Sequence, residues 1–168
     1  MPRMLRVAVT GLVALISASR PVAVDRTGAA SETAGATPPV QEIADESLRD
    51  VAVAVYDSVH PVIYYNPTLM LRFGPQLEAF FMAHEHAHIA LKHTRAGALR
   101  ADPSGRNRLL QAKELEADCL AAKRLGMARR DVSLAAVRFF ARLGNSQFDP
   151  EHPTGTTRAH QILACIPE

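Results

Sequence analysis

The chain has 168 residues, with 19 Lys and Arg against 17 Asp and Glu, for a formal net charge of +2. That length suits one domain able to bury a core without staples. The near-neutral balance leaves no electrostatic footprint for nucleic acid, and an aromatic content of 5% with no Trp offers no stacking platform for bases or sugars.

Residues 1–19, MPRMLRVAVTGLVALISAS, begin with Arg3 and Arg6, run apolar from Val7 to Ile16 and end on Ser17, Ala18 and Ser19. This is the layout of a secretory signal peptide cleaved after Ser19; if retained, it becomes an N-terminal anchor. The run is short for a membrane span, and no Cys follows it to carry a lipid. The expectation is an exported protein, periplasmic or secreted, with no stable membrane domain beyond that anchor. Residues 20–41, rich in Ala, Thr, Gly and Pro and without periodicity, read as a flexible linker. The folded domain is expected over residues 42–168, and its oligomeric state is unknown from sequence.

From Ile43 to Val59, residues Leu48, Val51, Ala52, Val55, Tyr56 and Val59 fit a helix, while Val51, Val53 and Val55 alternate as in a strand. Pro61 to Asn66 is β-branched and aromatic and closes on Asn66-Pro67, which predicts a strand. In a peptidase such a strand can pair with an extended substrate backbone. Phe73-Gly74-Pro75 interrupts the chain, and Pro75 suits the first turn of the next helix.

That helix carries FFMAHEHAHIAL, Phe80 to Leu91, with an HExxH motif at His84, Glu85 and His88. Residues four apart on a helix project from one face, so both imidazoles can grip one ion. Glu85, roughly 100° round from His84, reaches a water beside that ion without ligating it. Two neutral imidazoles, an open position and a nearby general base are what a Zn²⁺ hydrolase needs. Leu77, Phe80, Phe81, His84, His88 and Leu91 form one stripe, so the histidines lie within the apolar face. A lone histidine there would more often be a core residue bonded to a backbone carbonyl; two at this spacing, with the Glu between, favour a metal. His86 and His93 fall at roughly 180–200° from His84 on the same helix and are expected to be structural or solvated.

Thr94 to Arg106, with Gly97, Pro103, Gly105 and the cations Arg95, Arg100 and Arg106, reads as a polar surface loop that could also serve as a lid. Asn107 to Leu125 is a helix stopped by Gly126, with Leu110, Glu114, Ala117, Asp118, Ala121 and Leu125 on one face. Two carboxylates in an apolar stripe each need a cation or good donors. Zinc would satisfy Glu114, and Asp118 could take the second ring N–H of a ligating histidine or meet an arginine; a purely structural ion pair accounts for both equally. Glu116 points elsewhere.

HEHAH followed by Glu114-Leu115-Glu116-Ala117-Asp118, and then His152-Pro153 with Arg158 six residues after His152, resembles the HExxH…ExxxD…HPxxxxR pattern of the HtpX and CAAX-prenyl-protease type zinc metallopeptidases, a gluzincin group. The resemblance spans about residues 61 to 165. It implies that His84, His88 and Glu114 ligate zinc, that Glu85 is the general base, that His152 stabilises the oxyanion or gates the metal, and that Arg158 braces the site against Asp118. The transmembrane helices of the membrane-embedded members are missing, and no glycine stands where the metzincin third-histidine pattern requires it.

Asp131 to Leu143 is predicted as a helix with Leu134, Val137, Phe140 and Ala141 inward and Gly144 as its stop. Thr154 to Ile166 is predicted as a Thr-capped helix with Arg158, Ile162 and Cys165 on one side. Cys119 and Cys165 are the only cysteines, and in an exported chain they are expected to form a disulfide. The sequence therefore predicts an α+β, zincin-like fold, mostly helical, with a small sheet beside the HExxH helix. The expected activity is Zn²⁺-dependent hydrolysis of a protein or peptide substrate. The rivals are a non-catalytic zinc-binding interaction module, an intracellular regulatory metallopeptidase of repressor-cleaving type, and a hydrolase of non-peptide amides.

Overall fold

The computed structural model describes residues 39–56, 59–93 and 102–168. The leader, the linker up to residue 38, and Arg95 and Arg100 lie outside the described residues.

The fold is α+β, mostly helical, with one three-stranded sheet. Strands β1 (Gln41–Ala44), β2 (Ala52–Val55) and β3 (Val62–Tyr65) are ordered β1-β3-β2. Parallel pairing sets Gln41 opposite Val62, and antiparallel pairing sets Ala52 opposite Tyr65. β1 thus starts at Gln41, the last residue assigned to the linker. Among the described residues of 43–59, the helical alternative is not what forms. Asp45 Oδ1 accepts from the Ser47 N–H and hydroxyl at 2.8 and 2.6 Å, and this local bonding competes with helix. Asn66 fixes the resulting turn, donating to the Glu46 and Leu48 carbonyls at 3.0 and 2.9 Å.

The strand expected from Pro61 is β3, but it is the central strand, bonded on both sides. It has no edge to offer a substrate. The edge strand beside the HExxH helix is β2, which is too short and too alanine-rich to stand out in the sequence.

Helix α1 (Pro67–Leu71) was not expected; Asn66 caps it by accepting from the Leu69 N–H at 3.0 Å. Helix α2 (Pro75–Ala90) carries the HExxH residues, with Pro75 in its first turn. Helix α3 (Pro103–Leu125) begins earlier than Asn107, because Asp102 accepts from the Gly105 N–H at 2.9 Å and Pro103 suits the first helical position. Residues 103–106, including Arg106, are therefore helix, not loop. A short 3₁₀ turn, Met127–Arg129, leads into α4 (Arg130–Leu143). Its inward residues are Val132, Ser133, Ala136 and Phe140; Ala141 is exposed, so the buried face is rotated from the predicted one toward smaller residues. Helix α5 (Gly155–Cys165) follows Thr154, whose hydroxyl accepts from the Thr157 N–H at 3.2 Å.

The main core gathers Phe80, Ala121, Val132, Phe140 and Ile162 between α2, α3, α4 and α5. A second cluster of Ala52, Ile63, Met70 and Ile89 fastens the sheet to the helices. Gly155 is where α5 meets α4: a Cβ there would run into the Phe140 carbonyl oxygen and lie 2.6 Å from Leu143 Cβ. Cys119 and Cys165 form the expected disulfide, joining α3 to the end of α5. Among the described residues no helix is long and apolar enough to cross a membrane.

Candidate metal centre

Helices α2 and α3 pack together with His84 facing Asp118 and Glu114, and with His88, one turn further along α2, facing Glu114, one turn back along α3. Both ring Nε2 atoms face the Glu114 carboxylate. His84 Nε2 lies 3.1 Å from Oε2, His88 Nε2 lies 3.3 Å from Oε1, and the two Nε2 atoms are 3.0 Å apart. A tetrahedral ion at roughly 2.0–2.1 Å from each ligand sets those ligands about 3.3 Å apart. The donor set and its spacing therefore fit a metal ion, and these three side chains form a group that could hold one.

Behind the donors lies a buried polar chain. Asp118 is fully buried, and its Oδ1 lies 2.9 Å from His84 Nδ1, close but not well aligned for a hydrogen bond. Arg158 clamps Asp118 with two bonds, Nε to Oδ2 at 2.8 Å and an η-nitrogen to Oδ1 at 2.7 Å. The guanidinium also sits 4.1 Å from the Phe140 ring centre and 4.0 Å from Glu114. Burial disfavours charge on all these groups, but their mutual contacts outweigh it. Glu114 is held well below the usual carboxylate range by His84 and His88, Asp118 is lowered by Arg158 and His84, and His84 is raised to about 10 by the two carboxylates.

His152 comes from the turn before α5. Its Nδ1 lies 2.9 Å from Asp149 Oδ1, and its Nε2 faces Glu114 Oε2 at 3.7 Å. Burial lowers its pKa, but the bond to Asp149 and the charge of Glu114 raise it further than burial lowers it. Glu85 does not join the donor cluster; it lines the adjoining cavity of about 190 Å³. One wall of that cavity is β2, another is aromatic, from Phe73, Phe81 and Phe139, whose rings meet edge-to-face at 5.3 to 5.9 Å.

His84, His88, Glu114, Asp118, His152 and Arg158 are thus brought together, with Glu85 beside them. Two polar residues of this region carry no signal in the sequence, and a third, His93, lies elsewhere than its helical position predicts. Asp149 and Asp50 belong to no motif; Asp50 lines the cavity and is raised to about 6, chiefly by burial. Glu116 is exposed, as expected; His93, expected on the far side of the helix as structural or solvated, is instead packed inward, because α2 ends earlier than its periodicity suggests. The helix stops at Ala90, and Lys92 adopts a left-handed φ of 55°, which folds His93 back against His88. His86, by contrast, does point away, and its Nε2 lies 2.7 Å from Glu42 Oε1.

No family model matches the chain, and no curated protein or solved structure matches it either.

Proposed function

We propose that the chain is a zinc-dependent metalloendopeptidase of zincin-like fold, akin to the HtpX and CAAX-prenyl-protease type peptidases that its three motifs resemble. The observation that carries this reading is the mutual spacing of His84 Nε2, His88 Nε2 and the Glu114 carboxylate at 3.0 to 3.3 Å, with Glu85 lining the cavity next to them. Two imidazoles and one carboxylate are a donor set typical of catalytic zinc, which keeps a fourth position open, whereas structural zinc sites are closed by four protein ligands. Zn²⁺ in that position supplies Lewis acidity and lowers the pKa of a bound water.

The chain's own residues divide the remaining work. Glu85 takes a proton from the attacking water and delivers it to the leaving amine, so the base is regenerated as the C–N bond breaks. His152, held by Asp149, donates a hydrogen bond to the oxygen on which negative charge develops. Asp118 and Arg158 hold His84 in its ligating orientation. The cavity between β2 and the aromatic wall receives a stretch of protein or peptide. The disulfide is compatible with an exported enzyme.

The direct test is metal removal. Dialysis against a chelator is expected to abolish cleavage of an unstructured protein such as casein, and stoichiometric Zn²⁺ to restore it. Cleavage that survives removal of all metal contradicts the proposal.

A further inference from the structure

We propose that His93 and Glu116 form a two-step relay that positions the metal-facing His88, completing on that histidine the support that Asp118 gives His84. This rests on the metal-centre reading above. The geometry is direct. His93 Nδ1 lies 3.0 Å from His88 Nδ1, on the side of the ring opposite the atom that faces Glu114, and His93 Nε2 lies 3.1 Å from Glu116 Oε2. The His93 side chain is 8% exposed, whereas that of Glu116 is 62% exposed.

The positions of the hydrogens follow from the chemistry of the rings. A metal on His88 Nε2 needs the lone pair there, which leaves the hydrogen on Nδ1. His88 Nδ1 then donates to His93 Nδ1, which must present its lone pair. That places the His93 hydrogen on Nε2, where only an acceptor suits, and Glu116 supplies a carboxylate. Every hydrogen in the row has one place, and the tautomer that ligates is the one the row enforces. His93 cannot itself be a fourth ligand in this arrangement, because one nitrogen faces His88 and the other faces Glu116.

The backbone is shaped to make this contact. The Lys92 N–H bonds to the Ile89 carbonyl and the His93 N–H to the His88 carbonyl, each at 3.0 Å, which closes α2 with a Schellman turn. The left-handed residue of such a turn is usually Gly. Here it is Lys92 at φ 55°, the one non-glycine residue with positive φ among the described residues. A backbone outlier next to a candidate centre points to a functional constraint, and its effect is to turn the His93 ring onto His88.

The test uses the full chain, stripped of metal and titrated with Zn²⁺ against a chromophoric chelator. His93→Ala is expected to weaken Zn²⁺ binding about 10–100-fold, the range for loss of a partner that supports a metal ligand. Glu116→Gln should weaken it in the same direction by less, and the double variant should bind no more weakly than His93→Ala, because Glu116 acts only through His93. Nitrogen NMR of the zinc-loaded protein should show His88 protonated at Nδ1, with that nitrogen shifting on Glu116→Gln. Glu116 is exposed, so its variant keeps the test valid if His93→Ala does not fold. Affinity within twofold of wild type in Glu116→Gln together with no shift at His88 overturns the relay, as does a double variant whose losses simply add. If the wild type binds no Zn²⁺, or His84→Ala binds it equally well, the metal centre fails and the relay with it. If His84→Ala abolishes binding and His93→Ala leaves it intact, the relay alone fails.

Discussion

Arg158 on α5 grips Asp118 on α3 through two parallel hydrogen bonds, 2.8 and 2.7 Å long, with both residues buried. A buried pair of this kind adds little net stability over apolar residues of similar volume, yet losing one partner strands a charge. Asp118→Asn or Arg158→Met is therefore expected to cost about 3–5 kcal/mol. Replacing both with apolar residues should recover most of that loss while leaving Zn²⁺ affinity low, since His84 has lost its support. Denaturant midpoints and chelator competition on the three variants check this.

The His152–Asp149 pair predicts a pH dependence. Asp149 is lowered from its ordinary value: burial raises it, but the bond and charge of His152, together with the Glu151 and His152 N–H groups, lower it further, so the contact weakens as pH falls through that lowered value. His152 is raised, so its charged form is fully present below the ordinary histidine pKa and is lost as pH rises through the raised one. The ion pair spans the window between them. Cleavage should decline on the alkaline side as His152 deprotonates, and Asp149→Asn should move that decline to lower pH. A pH profile of kcat/KM for wild type and variant decides the matter.

The disulfide closes a 46-residue separation between Cys119 and Cys165. Cross-linking across such a span stabilises by about 4 kcal/mol on loop-closure grounds. Cys119→Ser with Cys165→Ser is expected to lower stability by roughly that amount, read as a drop in Tm. Because Cys119 follows Asp118 directly, Zn²⁺ affinity should fall too.

Gly155 allows α5 to start against the end of α4. Gly155→Ala forces the helices apart and should destabilise by about 1–3 kcal/mol, as overpacking does. The same shift carries Arg158, one turn on, away from Asp118. Differential scanning calorimetry measures the first effect, and Zn²⁺ affinity the second.

Sequence periodicity locates the long helices best at the ends where local chemistry sets a stop or cap, Pro75, Gly126, Gly144 and Thr154, and misses the end of α2 at Ala90 and the start of α3 at Pro103. The sheet was harder to read. Four-residue strands such as β2 give too short an alternation to separate from helix, and only the Asp45 and Asn66 side-chain bonds resolve it. Within the site, residues at helical spacing could be placed together from their positions alone, as with His84 and His88. His93 could not, because its position depends on a left-handed Lys92 that no glycine announces. Asp50 reaches the cavity, and Asp149 reaches His152, through turns, whose paths are set by tertiary contacts and not by any repeat.

The most direct measurement is zinc content, by elemental analysis, alongside peptide cleavage by purified wild type and Glu85→Gln. About one zinc per chain is expected in both proteins, with cleavage falling by at least about 10²-fold in the variant, as when a general base is removed. A folded wild type that holds no zinc, or a Glu85→Gln protein that cleaves as fast as wild type, would contradict the proposed function.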